Sequence, residues 1–257
     1  EEISGEDDAA ADREALRAAL DEEVVDLAGY DRLVVDLRFN GGGYEDLAVL
    51  AAGYFEAARF TDADRDRARQ YSENAQRAQL QASAHDQGVF LSSLRMVATL
   101  APFDDVGRPR IAQLINKSNQ FNLTTRRYAE AEVAALAEDA GVHTLQVRLV
   151  DRFGDNGMIS VVIVREAGDV DLIDTWLMSC RVLGRRLEEL VLDHLVARAQ
   201  ARGATTLRGE YLPTARNDLV REHYGALGFS EEGDDGRWWT LDVASYTPKN
   251  PPIEVAT

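Results

Sequence analysis

Residues 174–229 read DTWLMSCRVLGRRLEELVLDHLVARAQARGATTLRGEYLPTARNDLVREHYGALGF. The apolar run from Asp171 to Met178 reads as a strand. Arg181, Gly184 and Arg186 then form an Arg-x-x-Gly-x-Arg turn, and Gly184 to Arg202 carries helical spacing. Leu207 to Tyr211 reads as a further strand. Asn217 to Leu227 reads as a helix closed by Gly228. The first amides of a helix have no partner inside it, so a strand feeding such a turn presents a ready anion site.

Outward from this stretch, Thr144 to Val150 and Met158 to Arg165 read as strands, with Asn156-Gly157 as the hairpin signal between them. Trp238 to Val243 reads as a last strand. Arg110 to Asn119 and Ala129 to Ala137 read as helices. The expected class is α/β (α+β), a mixed sheet with flanking helices over residues 108–257. Residues 49–107 are dominated by helix formers, with Thr61 as an N-cap and a long exposed helix over Asp64 to Ala84. Residues 1–48 form a third segment. Asp12 to Leu27 reads as an acidic helix, and Arg32 to Phe39 as a strand. The glycine turn Asn40 to Gly43 leads into a helix over Tyr44 to Ala57.

The formal charge of -17 argues against a nucleic-acid partner, which needs a basic face. Residues 1–48 hold -11 of it, and this shift in composition is a first sign of a join. No apolar run approaches the ~18 residues of a membrane span. The chain opens at Glu1, as a fragment or processed product does, with no basic-then-apolar leader. Cys180 is the single cysteine, which excludes an internal disulfide and fits a cytoplasmic setting. His85, His143, His194 and His223 have no metal-ligand spacing, so no metal is expected.

In order, the strand, the Arg181-x-x-Gly184-x-Arg186 turn, the helix, the second strand, and then Asn217, His223-Tyr224 and Gly228-Phe229 resemble the acyl-CoA-binding half of GNAT-type N-acyltransferases. The resemblance implies a pyrophosphate held by Arg181, Val182, Gly184, Arg185 and Arg186, with Asn217 nearby. Arg186 stands where that family has a small residue. It also implies Tyr224 as the acid that protonates a leaving thiolate. Cys180 beside Arg181 is a second candidate, as an acyl-accepting thiolate. The plainer alternatives are an ordinary helix start with surface arginines, core aromatics at Tyr224 and Phe229, and a small buried thiol. His223 reads more simply as a surface helix residue. Asn119, Gln120, Asn122 and Thr124 either face an acyl group or cap loop backbone.

RIAQLINKSNQFNLTTRRY at 110–128 and LQVRLVDRFGDNGMISVVI at 145–163 are followed by DTWLMSCRVLGRR. With AAGYFEA near Ala51 and YLPTARN at Tyr211, they resemble the C-terminal half of FkbH-like proteins over roughly 50–245. Those proteins join a haloacid-dehalogenase-type phosphatase to a GNAT-like domain and load a glyceryl unit onto an acyl carrier protein for polyketide extender units. The implied co-substrate is coenzyme A or a phosphopantetheine thioester. The implied partners are an acyl carrier protein and a small acyl donor. A basic face of Arg108, Arg110, Lys117, Arg126 and Arg127 would meet an acidic carrier. The family's Asp-x-Asp nucleophile is absent, because the comparable strand ends Asp36-Leu37-Arg38. A non-catalytic carrier-docking module is therefore the alternative.

DRLVVDLRFNGGG at 31–43 resembles an element of the C-terminal-processing (tail-specific) serine peptidases, where it precedes the catalytic serine and lysine. No Ser-Ala-x-Glu segment follows, and the chain has two lysines, Lys117 and Lys249. The resemblance implies an inactive peptidase-like fragment over roughly 28–55.

Overall fold

The computed structural model describes residues 73–77, 79–82 and 86–256. The expected elements between Asp12 and Ala57, and most of the long helix from Asp64, lie outside the described residues. The chain divides into units 1–82 and 83–257. In the first, residues 73–77 and 79–82 are helical.

The second unit opens with α1 (Gln87–Ser93), whose N-terminus is capped by Asp86 Oδ1 accepting from the Gly88 and Val89 amides. It continues through β1 (Met96–Ala101), α2 (Arg108–Lys117), α3 (Glu130–Glu138), β2 (Val142–Asp151), β3 (Gly154–Ala167) and β4 (Val170–Met178). Then come α4 (Leu187–Arg202), β5 (Thr206–Glu210), α5 (His223–Leu227), β6 (Ser230–Glu232), β7 (Trp238–Asp242) and β8 (Ile253–Val255). The eight strands form one sheet in the order β6-β7-β5-β4-β3-β2-β1-β8. Its neighbours are antiparallel except for β4 with β5 and β1 with β8. This is the mixed sheet with flanking helices that the sequence led us to expect.

Both faces of the sheet are covered, which is why β3 reads as a near-continuous apolar run rather than an alternating one. Ile111, Ile115, Val133 and Leu136 of α2 and α3 pack on Val161, Ile163 and Leu177. Strand alternation sends Glu166 to the opposite face, where Arg198 of α4 takes it. Arg202 of α4 pairs there with Asp171 at 2.6 Å.

Several boundaries differ from the sequence reading, each for a local reason. The β2–β3 turn lies at Arg152-Phe153, not at Asn156-Gly157. Asp151 Oδ1 accepts from the Phe153 and Gly154 amides and closes the turn early. Asn156 and Gly157 instead make a bulge, two residues opposite Leu149, with Gly157 at φ +68. The last helix is broken in two. Residues Asp218–Val220 form a single 3₁₀ turn, and α5 starts only at His223. It ends at Gly228 with φ +98, as expected. The helix-rich composition of 49–107 hid β1, and the three-residue strands β6 and β8 are too short to show a period.

Candidate functional site

β4 and β5 run parallel for four residue pairs, from Val170 with Thr206 to Ile173 with Gly209. At that point the register of β4 against β3 slips. Val164 faces Ile173 and Ile163 faces Thr175, so Asp174 is the extra residue of a bulge. A bulge bends its strand and raises the local twist, which carries β4 away from β5. The two strands therefore part, and the gap opens toward the turn that leads into α4.

The gap is partly filled by the chain itself. The Leu123 amide donates to Trp176 O at 3.1 Å, and the Met178 amide donates to Phe121 O at 3.1 Å. On the other side the Leu212 amide donates to Leu123 O at 2.9 Å. Asn217 locks this insert, and it is fully buried. Its Nδ2 donates to Asn122 O and Leu212 O, and its Oδ1 accepts from the amide and hydroxyl of Thr214. The carboxamide has all four contacts inside the protein. Asn122 and Thr124 are buried in the same way, with Thr124 Oγ1 donating to Asp174 O.

A charge cluster holds the mouth of the gap. Arg126 donates to Glu210 Oε2 at 2.5 Å and to Asp174 O at 2.6 Å. Glu210 also takes Arg237, and Asp174 takes Tyr128 Oη at 2.6 Å and Arg165 Nε at 3.1 Å. Burial opposes ionisation of Asp174, but these bonds and the Arg126 charge hold its carboxyl below the usual range. Arg127 reaches the carbonyls of Ile115 and Ser118 at the end of α2. Both arginines are thus engaged within the fold. Arg108 pairs with Asp105.

At the turn, Cys180 is exposed and opens a single 3₁₀ turn, Cys180–Val182. Val182 is buried. Gly184 adopts φ +72, which its missing Cβ permits. Arg185 is 7% exposed and points inward, with Nη1 2.9 Å from Asp151 Oδ2 and 3.5 Å from Asn156 Oδ1. It braces the β2–β3 bulge against the turn. Arg186, the departure from a small residue, sits at φ +61 and pairs with Glu189. A left-handed backbone at a non-glycine residue costs about 1–2 kcal/mol. Arg181 reaches Ser179 Oγ and Asn156 O but no carboxylate among the described residues. Arg110, on α2, also lacks a carboxylate partner among the described residues. Burial and the nearby Arg181 charge lower its pKa. Two cations therefore sit near the turn without a carboxylate partner among the described residues. Glu188 works against an anion here. Its carboxyl occupies the first turn of α4, and burial raises its pKa.

Behind the gap lies an aromatic group. Trp176, His223 and Tyr224 are mutually in contact, with ring centres 4.7 Å apart for Trp176–His223 and 5.6 Å for His223–Tyr224. Phe121 of the insert meets His223 edge-on at 5.0 Å. Trp176 is 0%, Tyr224 1% and His223 9% exposed. Trp176 Nε1 and His223 Nε2 are buried without a hydrogen-bond partner among the described residues, while Tyr224 Oη lies against the Glu210 backbone. Burial alone pushes the His223 pKa down to about 3 and is the main cause raising that of Tyr224. Sequence reading placed His223 on the surface. An isolated His-Tyr pair gives no sign that Trp176, some 47 positions earlier, closes over it.

The chain is similar to the ribosomal-protein-S18-alanine N-acetyltransferase of Escherichia coli at 19% identity, over 60% of this chain and 97% of that one, with a TM-score of 0.43. It is similar to the spermidine N-acetyltransferase of Vibrio cholerae, solved with CoA and spermine, at 12% identity, 57% and 96% coverage and a TM-score of 0.43. The GNAT domain of S. lividans PAT gives 16% identity, 56% and 89% coverage and a TM-score of 0.44. No curated protein matches the chain. A model of peptidase family S41 matches residues 9–137, half of the chain. The chain belongs to peptidase family S41.

In this S41 member the matched stretch includes the DLRFNGGG string and runs on through α1, β1 and α2. It stops at Ala137, one residue before the end of α3. The β4–β5 gap, the turn and the Trp176–His223–Tyr224 group all lie beyond the S41 match. Among the described residues no group of three or more His, Cys, Asp or Glu side chains is placed to hold a metal. Among the same residues no helix is long and apolar enough to cross a membrane.

Proposed function

We propose that residues 86–256 form a GNAT-like acyltransferase domain that takes its acyl group as a thioester on coenzyme A or on carrier-bound phosphopantetheine. The observation that carries the reading is the bulge at Asp174. It parts two parallel strands beside a turn with two cations, Arg110 and Arg181, that lack a carboxylate among the described residues. A phosphate at this turn meets the positive end of α4 and those guanidinium groups. The Gly184 turn and Val182 shape the loop, and Arg185 holds it in place. In this reading Tyr224 gives its proton to the leaving thiolate, at the point where the strands separate.

The FkbH-like resemblance supports the finer reading. There the acyl unit is glyceryl, the partner is an acyl carrier protein, and the setting is cytoplasmic polyketide-type biosynthesis. Arg126 and Arg127 are engaged inside the fold, so Arg110, Arg181 and Lys117 remain as the cations for carrier docking.

The test is acyl transfer from acetyl-CoA and from an acylated carrier protein, with Tyr224→Phe alongside. Transfer that falls at least tenfold while thioester binding stays is the expected result. Binding without transfer in the wild type favours a second reading, a non-catalytic docking module. Arg186 at φ +61 and Glu188 in the first turn of α4 both favour that second reading. The S41 membership adds a third, peptidase chemistry in the matched stretch. Labelling by a fluorophosphonate probe would support it.

A further inference from the structure

We propose that Trp176 Nε1 and His223 Nε2 form a side-chain site for the carbonyl oxygen of the bound thioester. This rests on the acyl-thioester reading above. Buried polar groups in folded proteins are almost always hydrogen-bonded, and an indole N–H can only donate. Here Trp176 Nε1 and His223 Nε2 are both buried, have no hydrogen-bond partner among the described residues, and belong to rings in edge-to-face contact. Two such groups side by side mark a place for a hydrogen-bonding ligand atom. Neutral donors suit an oxygen that is uncharged in the resting thioester and gains negative charge in the reaction.

The backbone of β4 explains the need for side-chain donors. Beyond Asp174 the edge of β4 faces the gap, and its Met178 amide is already engaged by Phe121 O. An acyl group entering the gap cannot use that amide. Unused side-chain groups on the neighbouring elements are Trp176 Nε1 on β4 and His223 Nε2 on α5. His223 is held neutral by burial and adds no buried charge, and its role as a donor here is that of the tautomer protonated at Nε2.

The step balances as follows. An acceptor nucleophile forms a bond to the carbonyl carbon, and the C=O π pair moves onto oxygen, where Trp176 and His223 hold it. Return of that pair breaks the C–S bond. The thiolate takes the Tyr224 proton, and the proton released by the acceptor restores Tyr224. Donors fixed in a dry site stabilise such an oxyanion strongly. Loss of one typically lowers the rate by about 10²–10³-fold.

The test uses acetyl-CoA labelled with ¹³C at the carbonyl, and the full chain. On binding to the wild type the carbonyl stretch moves to lower frequency, and the Trp176 indole N–H resonance shifts with acetyl-CoA but not with CoA. In Trp176→Phe and His223→Phe the carbonyl shift shrinks, and transfer falls at least tenfold with CoA affinity kept. A carbonyl frequency and an indole resonance that do not respond to bound acetyl-CoA would overturn the inference alone. The wild-type measurement decides this even if a variant fails to fold. Failure of both CoA and acetyl-CoA to bind would overturn the acyl-thioester reading, and this inference with it.

Discussion

Tyr224 covers the backbone of Gly209, the last residue of β5 that pairs with β4. A Cβ on Gly209 would lie 2.7 Å from Tyr224 Oη and closer still to the ring. Side chains do not approach so closely, so Gly209 is what lets the Tyr224 ring reach the parting strands. Gly209→Ala should destabilise the protein by about 1–3 kcal/mol, the usual cost of overpacking. Urea unfolding measures it. In a Tyr224→Ala background the same change should cost much less, because the clash has gone. An equal cost in both backgrounds would contradict this packing.

Asn217 joins Asn122, Leu212 and Thr214 through one buried carboxamide. Its removal strands two carbonyls and an amide, at about 1–3 kcal/mol for each group left without a partner. Asn217→Ala should therefore lose several kcal/mol, and amide exchange at Leu123 and Leu212 should speed up with it. If the variant kept its stability and lost only thioester affinity, Asn217 would be a ligand contact and not a clamp.

Acid should weaken the protein in a defined window. His223 is depressed to about 3 and His143 to about 4, the latter by burial, then by Arg198 and His194. A group with a depressed folded pKa adds stability above its unfolded value, and that stability is lost as pH falls through the folded one. The loss should start near pH 6.5 and continue to about pH 3. For His223 the slope is about 1.4 kcal/mol per pH unit. The Asp174 carboxyl, held low by Tyr128, Arg165 and Arg126, acts in the same direction. Glu188 has the opposite sign, since its raised pKa favours the fold at low pH. Urea midpoints between pH 7 and 3 should show the fall, and His223→Phe should flatten its lower end. An unchanged pH profile in His223→Phe would count against a neutral buried imidazole.

What was legible in the sequence was what repeats or has a sharp signature. The run Met158–Val164, the helix Leu187–Arg202 and the Gly228 cap were all visible, because period and capping are local. Asn156-Gly157 misled, since the same dipeptide suits a hairpin turn and a bulge, and Asp151 decided between them. The site was half legible. The turn residues 181–186 stand in one string, but which arginine turns inward depends on Asp151, 34 positions away. Arg126 looked like a surface cation. Only the folded sheet brings Asp174 and Glu210 to either side of it.

The most direct test of the acyl-thioester claim is calorimetric titration of coenzyme A into the protein, with Arg181→Ala and Glu188→Gln as companions. The account predicts saturable one-to-one binding. It should weaken about tenfold or more in Arg181→Ala, where a charge-assisted contact is lost. It should tighten in Glu188→Gln, where a carboxylate leaves the positive end of α4. No heat at millimolar coenzyme A, or binding that neither variant alters, would contradict a phosphate site at this turn.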